Sequence, residues 1–246
     1  MKIVKSIDCV GTNLDIYDGP VGIMVSGGVD SAILLYYLMK YSLNTIHIYT
    51  TGSNKKFRRN SIIAPRVVEK CIQLTGNNNV VHHIHYDESA TDNSMCIAPQ
   101  KDIDNSLINI VYDGTTMNPP YDIAINLVAT VSKTNSDGTV SQHTVSPDMS
   151  RSDTGDNVMW YNDDKFYMPW ANTNKKGIAK MYKNAWKWGH HYSSIDKTLV
   201  ESLLPVTRSC EWDPTCDYYD VIGAVDPYLE HCGECWWCKE REWGFK

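Results

Sequence analysis

The chain has 246 residues, 42% of them hydrophobic and 21% charged, which suffices to bury a core and argues against disorder along its whole length. Its 23 basic residues against 29 acidic ones leave a net charge of -6, whereas a broad grip on a phosphate backbone needs a basic surface, so nucleic acid is not expected as the main partner. No apolar run reaches spanning length and Met1-Lys2-Ile3-Val4 lacks the apolar stretch of a signal peptide, so a soluble, cytoplasmic protein with no membrane partner is expected.

The apolar run 21–25, bounded by Pro20 and Ser26-Gly27-Gly28, predicts a buried strand. Residues 31–41 carry apolar side chains on nearly every side and predict a largely buried helix, and 45–49 a second short strand. Ile62, Ile63, Val67, Val68, Cys71, Ile72 and Leu74 recur at helical spacing. They predict a helix over 61–74, with Pro65 in its first turn, where a missing N–H costs little, and Gly76 beyond its end. Residues 80–85 read as a third strand. This βαβαβ order predicts an α/β fold, a doubly wound parallel sheet with covering helices. Farther on, 107–112 predicts another strand. The polar stretch near 121–168 reads as an insertion holding a β-hairpin, with strands 127–132 and 139–145 about Ser136-Asp137-Gly138. Residues 175–188 predict a helix capped by Asn174, and 194–204 another. From Cys210 onward the tail reads as irregular and held by something other than a core.

The sharpest signal is Ser26-Gly27-Gly28-Val29-Asp30-Ser31 between a strand and a helix. Two glycines let the backbone turn and expose consecutive N–H groups, the helix N-terminus adds a positive dipole end, and the serines add donors, so the string is a cradle for a phosphate or pyrophosphate. The plain alternative, a tight turn capped by Asp30 or Ser31, explains less of the six-residue string. There is no GxGxxG, and no Walker A lysine for holding β- and γ-phosphates. The loop resembles the SGGxDS signature of the PP-loop ATP pyrophosphatase superfamily. The resemblance implies an adenine nucleotide alpha hydrolase-like fold, cleavage of ATP between its α- and β-phosphates, and adenylation of a substrate oxygen. It also implies that Ser26, Gly27, Gly28, Val29, Asp30 and Ser31 bind ATP, with Asp30 and Ser31 at the chemistry and Mg²⁺ on the leaving pyrophosphate.

Four of the eight cysteines, Cys210, Cys232, Cys235 and Cys238, crowd into the end of the chain. Short CxxC steps that aim thiolates at one point are the pattern of a closed structural zinc site, whose apparent binding free energy, on the order of 10–16 kcal/mol, can organise an irregular segment. An iron–sulfur cluster uses the same ligands, a redox pair normally opens a helix in a βαβ unit, and a zinc knuckle would stack Trp236 and Trp237 on bases. Cys216 is a second candidate for the fourth ligand.

The run Leu204-Pro205-Val206-Thr207-Arg208-Ser209-Cys210, followed by Cys232-Gly233-Glu234-Cys235-Trp236-Trp237-Cys238 and then Arg241 and Phe245, is similar to the ending of the 7-cyano-7-deazaguanine synthase family. Pro169, Asn172, Asn174, Lys175 and Ile178 resemble that family's Pro-x-x-Asp-x-Ser/Thr-Lys-x-x-Ile stretch. The resemblance implies a PP-loop domain over 1–204 and a zinc-binding segment over 205–246, with Zn²⁺ on Cys210, Cys232, Cys235 and Cys238. It implies a ligase that joins 7-carboxy-7-deazaguanine and ammonia at the expense of ATP, within queuosine biosynthesis, in a family that often forms homodimers. The chain departs from the family in the residues inserted between Cys210 and Cys232, in Asn172 for an acid, and in Asp113-Gly114-Thr115-Thr116-Met117-Asn118 where the family has Gly-Arg-Asn. Lys175, at a helix start, is a candidate catalytic group able to reach a phosphate, set against a solvated surface lysine. His82, His83 and His85 read as ordinary strand residues, with His82 on one face and the other two on the opposite one. Tyr182, Trp186, Trp188, His190 and Tyr192 read as helix packing. Other functions open to the same loop are tRNA thiolation, sulfonucleotide reduction, or nucleotide binding without catalysis.

Overall fold

The computed structural model describes residues 1–52, 59–86, 94–134, 138–145, 151, 159–160, 165–184, 199–209, 231, 233 and 235–246. The chain opens on an antiparallel hairpin, β1 (Ile3–Asp8) and β2 (Asn13–Tyr17), which has little sequence signal. Its turn puts Val10 (φ 58°) and Gly11 (φ 89°) in the left-handed region. That is the backbone pattern of a type I′ hairpin turn, but a β-branched residue is rare there.

The alternation of strand and helix expected from the sequence follows. β3 (Val21–Met24) leads into α1 (Val29–Tyr41), β4 (Ile46–Gly52), α2 (Asn60–Thr75) and β5 (Val80–Tyr86). α1 begins two residues before the predicted start, and residues 32–35 and 38 are fully buried, as an all-round apolar helix requires. Because α2 starts at Asn60, Pro65 lies in its second turn rather than its first. Gly76 closes that helix in the left-handed conformation at φ 70°.

Then come α3 (Ser94–Asp104), β6 (Val111–Tyr112), α4 (Tyr121–Leu127), the paired strands β7 (Ala129–Thr134) and β8 (Val140–Val145), and the short strands β9 (Met159–Trp160) and β10 (Phe166–Tyr167). The hairpin predicted inside the insertion is β7–β8; Ser136 and Asp137 of its turn lie outside the described residues. The strand expected over 107–112 shrinks to Val111–Tyr112. The chain before it still bonds to β3, since Gly22 N–H donates to the Ile110 carbonyl at 2.8 Å.

α5 (Lys175–Asn184) starts where Asn174 Oδ1 accepts the N–H of Lys176 at 3.0 Å, so the predicted cap is present. Residues 185–188 of the predicted helix are outside the described set. So are 194–198 of the next, of which α6 (Leu199–Ser202) and a 3-10 turn (Leu204–Val206) remain. The tail is not irregular to its end. α7 (Trp236–Phe245) buries Trp236, rests Phe245 against Tyr182 with ring centres 5.6 Å apart, and lays Gly244 on Lys175, where a Cβ would come within 2.5 Å of the Lys175 Cβ. The end of the tail therefore does use the core.

The central sheet runs β5-β4-β3-β6-β10-β9, parallel except for β9 at its edge. Ile46 and Ile48 share a core with α1 and α2 on one face. Tyr49, Val111 and Phe166 share a second with Cys96 of α3 on the other. Two covered faces make the sheet doubly wound. No helix among the described residues is long and apolar enough to cross a membrane.

Candidate active site

In an open parallel sheet, ligands bind beyond the carboxyl ends of the strands where the strand order reverses. Here β4 lies on one side of β3 and β6 on the other, so the carboxyl end of β3 lies at such a reversal. The segment after β3 is Ser26-Gly27-Gly28, running into α1.

Gly28 is the N-cap of α1, and no side chain caps the helix. The turn-plus-cap alternative thus fails for Asp30 and Ser31. The first-turn N–H groups of Val29, Asp30 and Ser31 keep the unmet donor capacity of any helix start. Ser26 Oγ accepts the Gly28 N–H at 3.3 Å and lies 3.4 Å from Ser31 Oγ, which donates to the Gly28 carbonyl at 3.3 Å. The Val29 side chain is wholly in the core, so Val29 offers the site only its backbone. From behind, Arg208 N–H donates to the Gly27 carbonyl at 2.9 Å. Arg241, at the far end of the sequence, donates to Thr207 O, Thr207 Oγ1 and Leu204 O at 3.1–3.2 Å. Arg241 therefore braces the turn that braces the loop.

Lys175 is 6% exposed and not a solvated surface lysine. Its ammonium pairs with Asp30 Oδ2, donates to Thr116 Oγ1 at 3.4 Å and lies 3.8 Å from Glu240 Oε2. The other carboxylate oxygen of Asp30, Oδ1, is buried with no hydrogen-bond partner among the described residues. A hard carboxylate oxygen with no hydrogen-bond donor is the kind that Mg²⁺ takes, so Asp30 fits that ion.

The segment after β6 adds groups the sequence did not single out as a site. Gly114 packs so closely on α1 that a Cβ there would come within 2.9 Å of Ser31 N. Asp113 accepts from Thr115 Oγ1 and N–H at 3.0–3.1 Å. Burial pushes its carboxyl up to about 6 against those hydrogen bonds, and the charge of Asp30 adds to the rise. Arg151 forms a two-pronged pair with the fully buried Glu240 at 2.8 and 3.0 Å and donates to Thr116 O and Met117 O. Arg151 lies in the polar insertion and Glu240 beyond the last cysteine, so only long-range folding reveals them.

Of the predicted zinc ligands, Cys235 and Cys238 are buried and pack together, and Cys238 Sγ is 3.8 Å from His231 Nδ1. Cys210 and Cys232, like Cys216, lie outside the described residues. Among the described residues no group of three or more His, Cys, Asp or Glu side chains is arranged to hold a metal ion. The histidines of β5 behave as the strand pattern requires. His82 bonds Thr50 Oγ1 at 2.9 Å on one face, and His83 Nε2 lies 3.1 Å from His47 Nδ1 on the other. Tyr182 is buried with its hydroxyl donating to the Val29 carbonyl at 2.9 Å; Trp186, Trp188, His190 and Tyr192 are outside the described set.

Residues 7–81, from β1 into β5, match the family model for asparagine synthase, a family of the PP-loop ATP pyrophosphatase superfamily. This part of the chain, which contains the whole phosphate loop, is thus similar to an ATP-using PP-loop domain. No curated protein matches the chain.

Proposed function

We propose that the chain is an ATP-dependent carbon–nitrogen ligase that adenylates a carboxylate and passes the acyl group to ammonia. The observation that carries this reading is the uncapped N-terminus of α1, opening at the strand-order reversal with Asp30 and Lys175 at its mouth. The asparagine synthase match supports adenylation in preference to γ-phosphoryl transfer.

The chain need supply no covalent nucleophile; its tasks are to position groups and to stabilise the charge that leaves. The N–H groups of residues 29–31 and the hydroxyls of Ser26 and Ser31 receive the pyrophosphate oxygens. Asp30 and Asp113 would hold Mg²⁺, which would supply positive charge against the departing phosphates. Lys175 adds a mobile cation beside them. A substrate carboxylate oxygen attacks the α-phosphorus, the bond to the β-phosphate bridging oxygen breaks, and pyrophosphate leaves. Ammonia then attacks the acyl carbon, loses a proton and expels AMP, leaving an amide.

The acceptor we propose is 7-carboxy-7-deazaguanine, on the strength of the tail motif. A second adenylation, of the amide oxygen, followed by loss of AMP and two protons from nitrogen, yields the nitrile 7-cyano-7-deazaguanine. Zn²⁺ on Cys210, Cys232, Cys235 and Cys238 is part of this reading and has a structural role, supported by the burial of Cys235 and Cys238. The test is a mixture of the protein with ATP, Mg²⁺, ammonia and 7-carboxy-7-deazaguanine. The expected result is AMP and pyrophosphate formed only with the acid, and a nitrile by mass spectrometry. A product that stops at the amide would favour simple amidation, which the asparagine synthase match also supports, and ATP cleavage indifferent to the acid would overturn the acceptor.

A further inference from the structure

We propose that Lys175 is a displaceable counter-ion: its ammonium group pairs with Asp30, and Glu240, held by Arg151, is where it withdraws when a divalent cation takes that carboxylate. This rests on the phosphate-loop reading above and concerns the state of the site before nucleotide arrives.

Asp30 is paired on one side only. Lys175 holds Oδ2, while Oδ1 is buried and without a donor among the described residues. A finished structural ion pair would satisfy both oxygens of a buried carboxylate. The place for withdrawal is already built. Glu240 is fully buried in α7 with Oε2 3.8 Å from the Lys175 ammonium. Both its oxygens accept from the Arg151 fork, and a carboxylate has about four acceptor positions, so room for an ammonium remains. Arg151 is itself fixed by Thr116 O, Thr116 Oγ1 and Met117 O at 2.7–2.8 Å. Glu240 is therefore rigid relative to Thr116 and Met117. The base of Lys175 is held by Gly244, whose missing Cβ would meet the Lys175 Cβ at 2.5 Å and its backbone at 2.8 Å. The exchange thus needs only rotation of the flexible four-carbon stem. A doubly charged hard cation on Asp30 repels the ammonium, and Glu240 accepts it.

The test is a nucleotide-free titration with Mn²⁺, followed by electron paramagnetic resonance of the unbound ion. Lys175→Met keeps the stem and removes the charge, and is expected to bind Mn²⁺ at least about tenfold more tightly than wild type. Lys175→Met with Asp30→Asn is expected to lose that gain. Glu240→Gln alone is expected to weaken Mn²⁺ binding roughly threefold or more, because the ammonium then has no second carboxylate. In the Lys175→Met background, Glu240→Gln is expected to change nothing beyond about threefold, a result that a general electrostatic or packing role for Glu240 would not give. A Lys175→Met protein that binds no more tightly than wild type, or a gain that survives Asp30→Asn, overturns the proposal. Should Lys175→Met fail to fold, the Glu240→Gln arm decides: unchanged Mn²⁺ affinity there overturns it equally. Since no nucleotide is present, a failure of ATP cleavage sinks the ligase reading without touching this result, and the reverse also holds.

Discussion

Gly27 and Gly28 stand side by side for different reasons. Gly27 has φ 84°, and a Cβ there would meet Ile63 Cγ2 at 2.6 Å and Ala64 N at 3.0 Å. Gly27→Ala is therefore expected to lose about 2 kcal/mol of stability or more, read by urea unfolding. Gly28 has φ -72°, and the nearest atom to its missing Cβ is Ser26 Oγ at 3.4 Å. Gly28→Ala is expected to cost about 1 kcal/mol or less in the same assay, yet to weaken ATP binding clearly, since the added methyl sits on the cradle. Equal losses of stability in the two variants would contradict this division. Asp113 makes a separate prediction. Its carboxyl rises from 3.8 to about 6 through burial foremost, so between those values the folded state binds more protons than the unfolded state. Stability then falls as pH rises through that window and stays reduced above it. Asp113→Asn removes the titration and is expected to raise the melting temperature more at about pH 8 than at about pH 4.5. An equal gain at both would show that Asp113 is not the group responsible.

Secondary elements were legible in proportion to how local their cause is. α1, α2 and Gly76 follow from apolar spacing and a left-handed cap. α3 holds Pro99 in its interior and has no strong apolar stripe, so tertiary packing of Cys96 beneath β4 makes it a helix. α7 was hidden by the cysteines that open it, although Arg241 within it joins the two ends of the site. Arg241→Met removes three donated hydrogen bonds to Leu204 and Thr207. It is expected to cost about 2 kcal/mol and to raise the KM for ATP, because Arg208 N–H then no longer pins Gly27. Stability lost with KM unchanged would confine Arg241 to the tail. In β5, burial and then His83 push His82 down to about 4 from an ordinary 6.5. The unfolded chain therefore takes up a proton there that the folded one refuses, and stability is lost as pH falls from 6.5 towards 4. His82→Gln is expected to flatten that acid limb in thermal melts; an unaltered limb would place the sensitivity elsewhere.

Among the described residues, α7 joins the cysteine tail to the neighbourhood of the phosphate loop. It carries Cys235 and Cys238 at one end, Glu240 in the middle and Gly244 on Lys175 at the other. If a structural zinc organises the cysteine tail, its removal reaches the nucleotide site through this helix. Stripping the metal with a chelator is expected to release about one zinc per chain, to lower the melting temperature and to weaken ATP binding together. Iron in place of zinc would favour a cluster, and ATP affinity indifferent to the chelator would separate tail from site.

The Ser26–Ser31 string, the βαβαβ order and the Asn174 cap belong to neighbouring residues, and their physics needs nothing distant; the amino-acid order alone carries them. Lys175 against Asp30, Arg151 against Glu240, and Asp113 with the charge of Asp30 join residues far apart in the chain. No spacing rule can foresee such pairs, because burial and the strand order β4-β3-β6 decide which charges meet and which water is excluded.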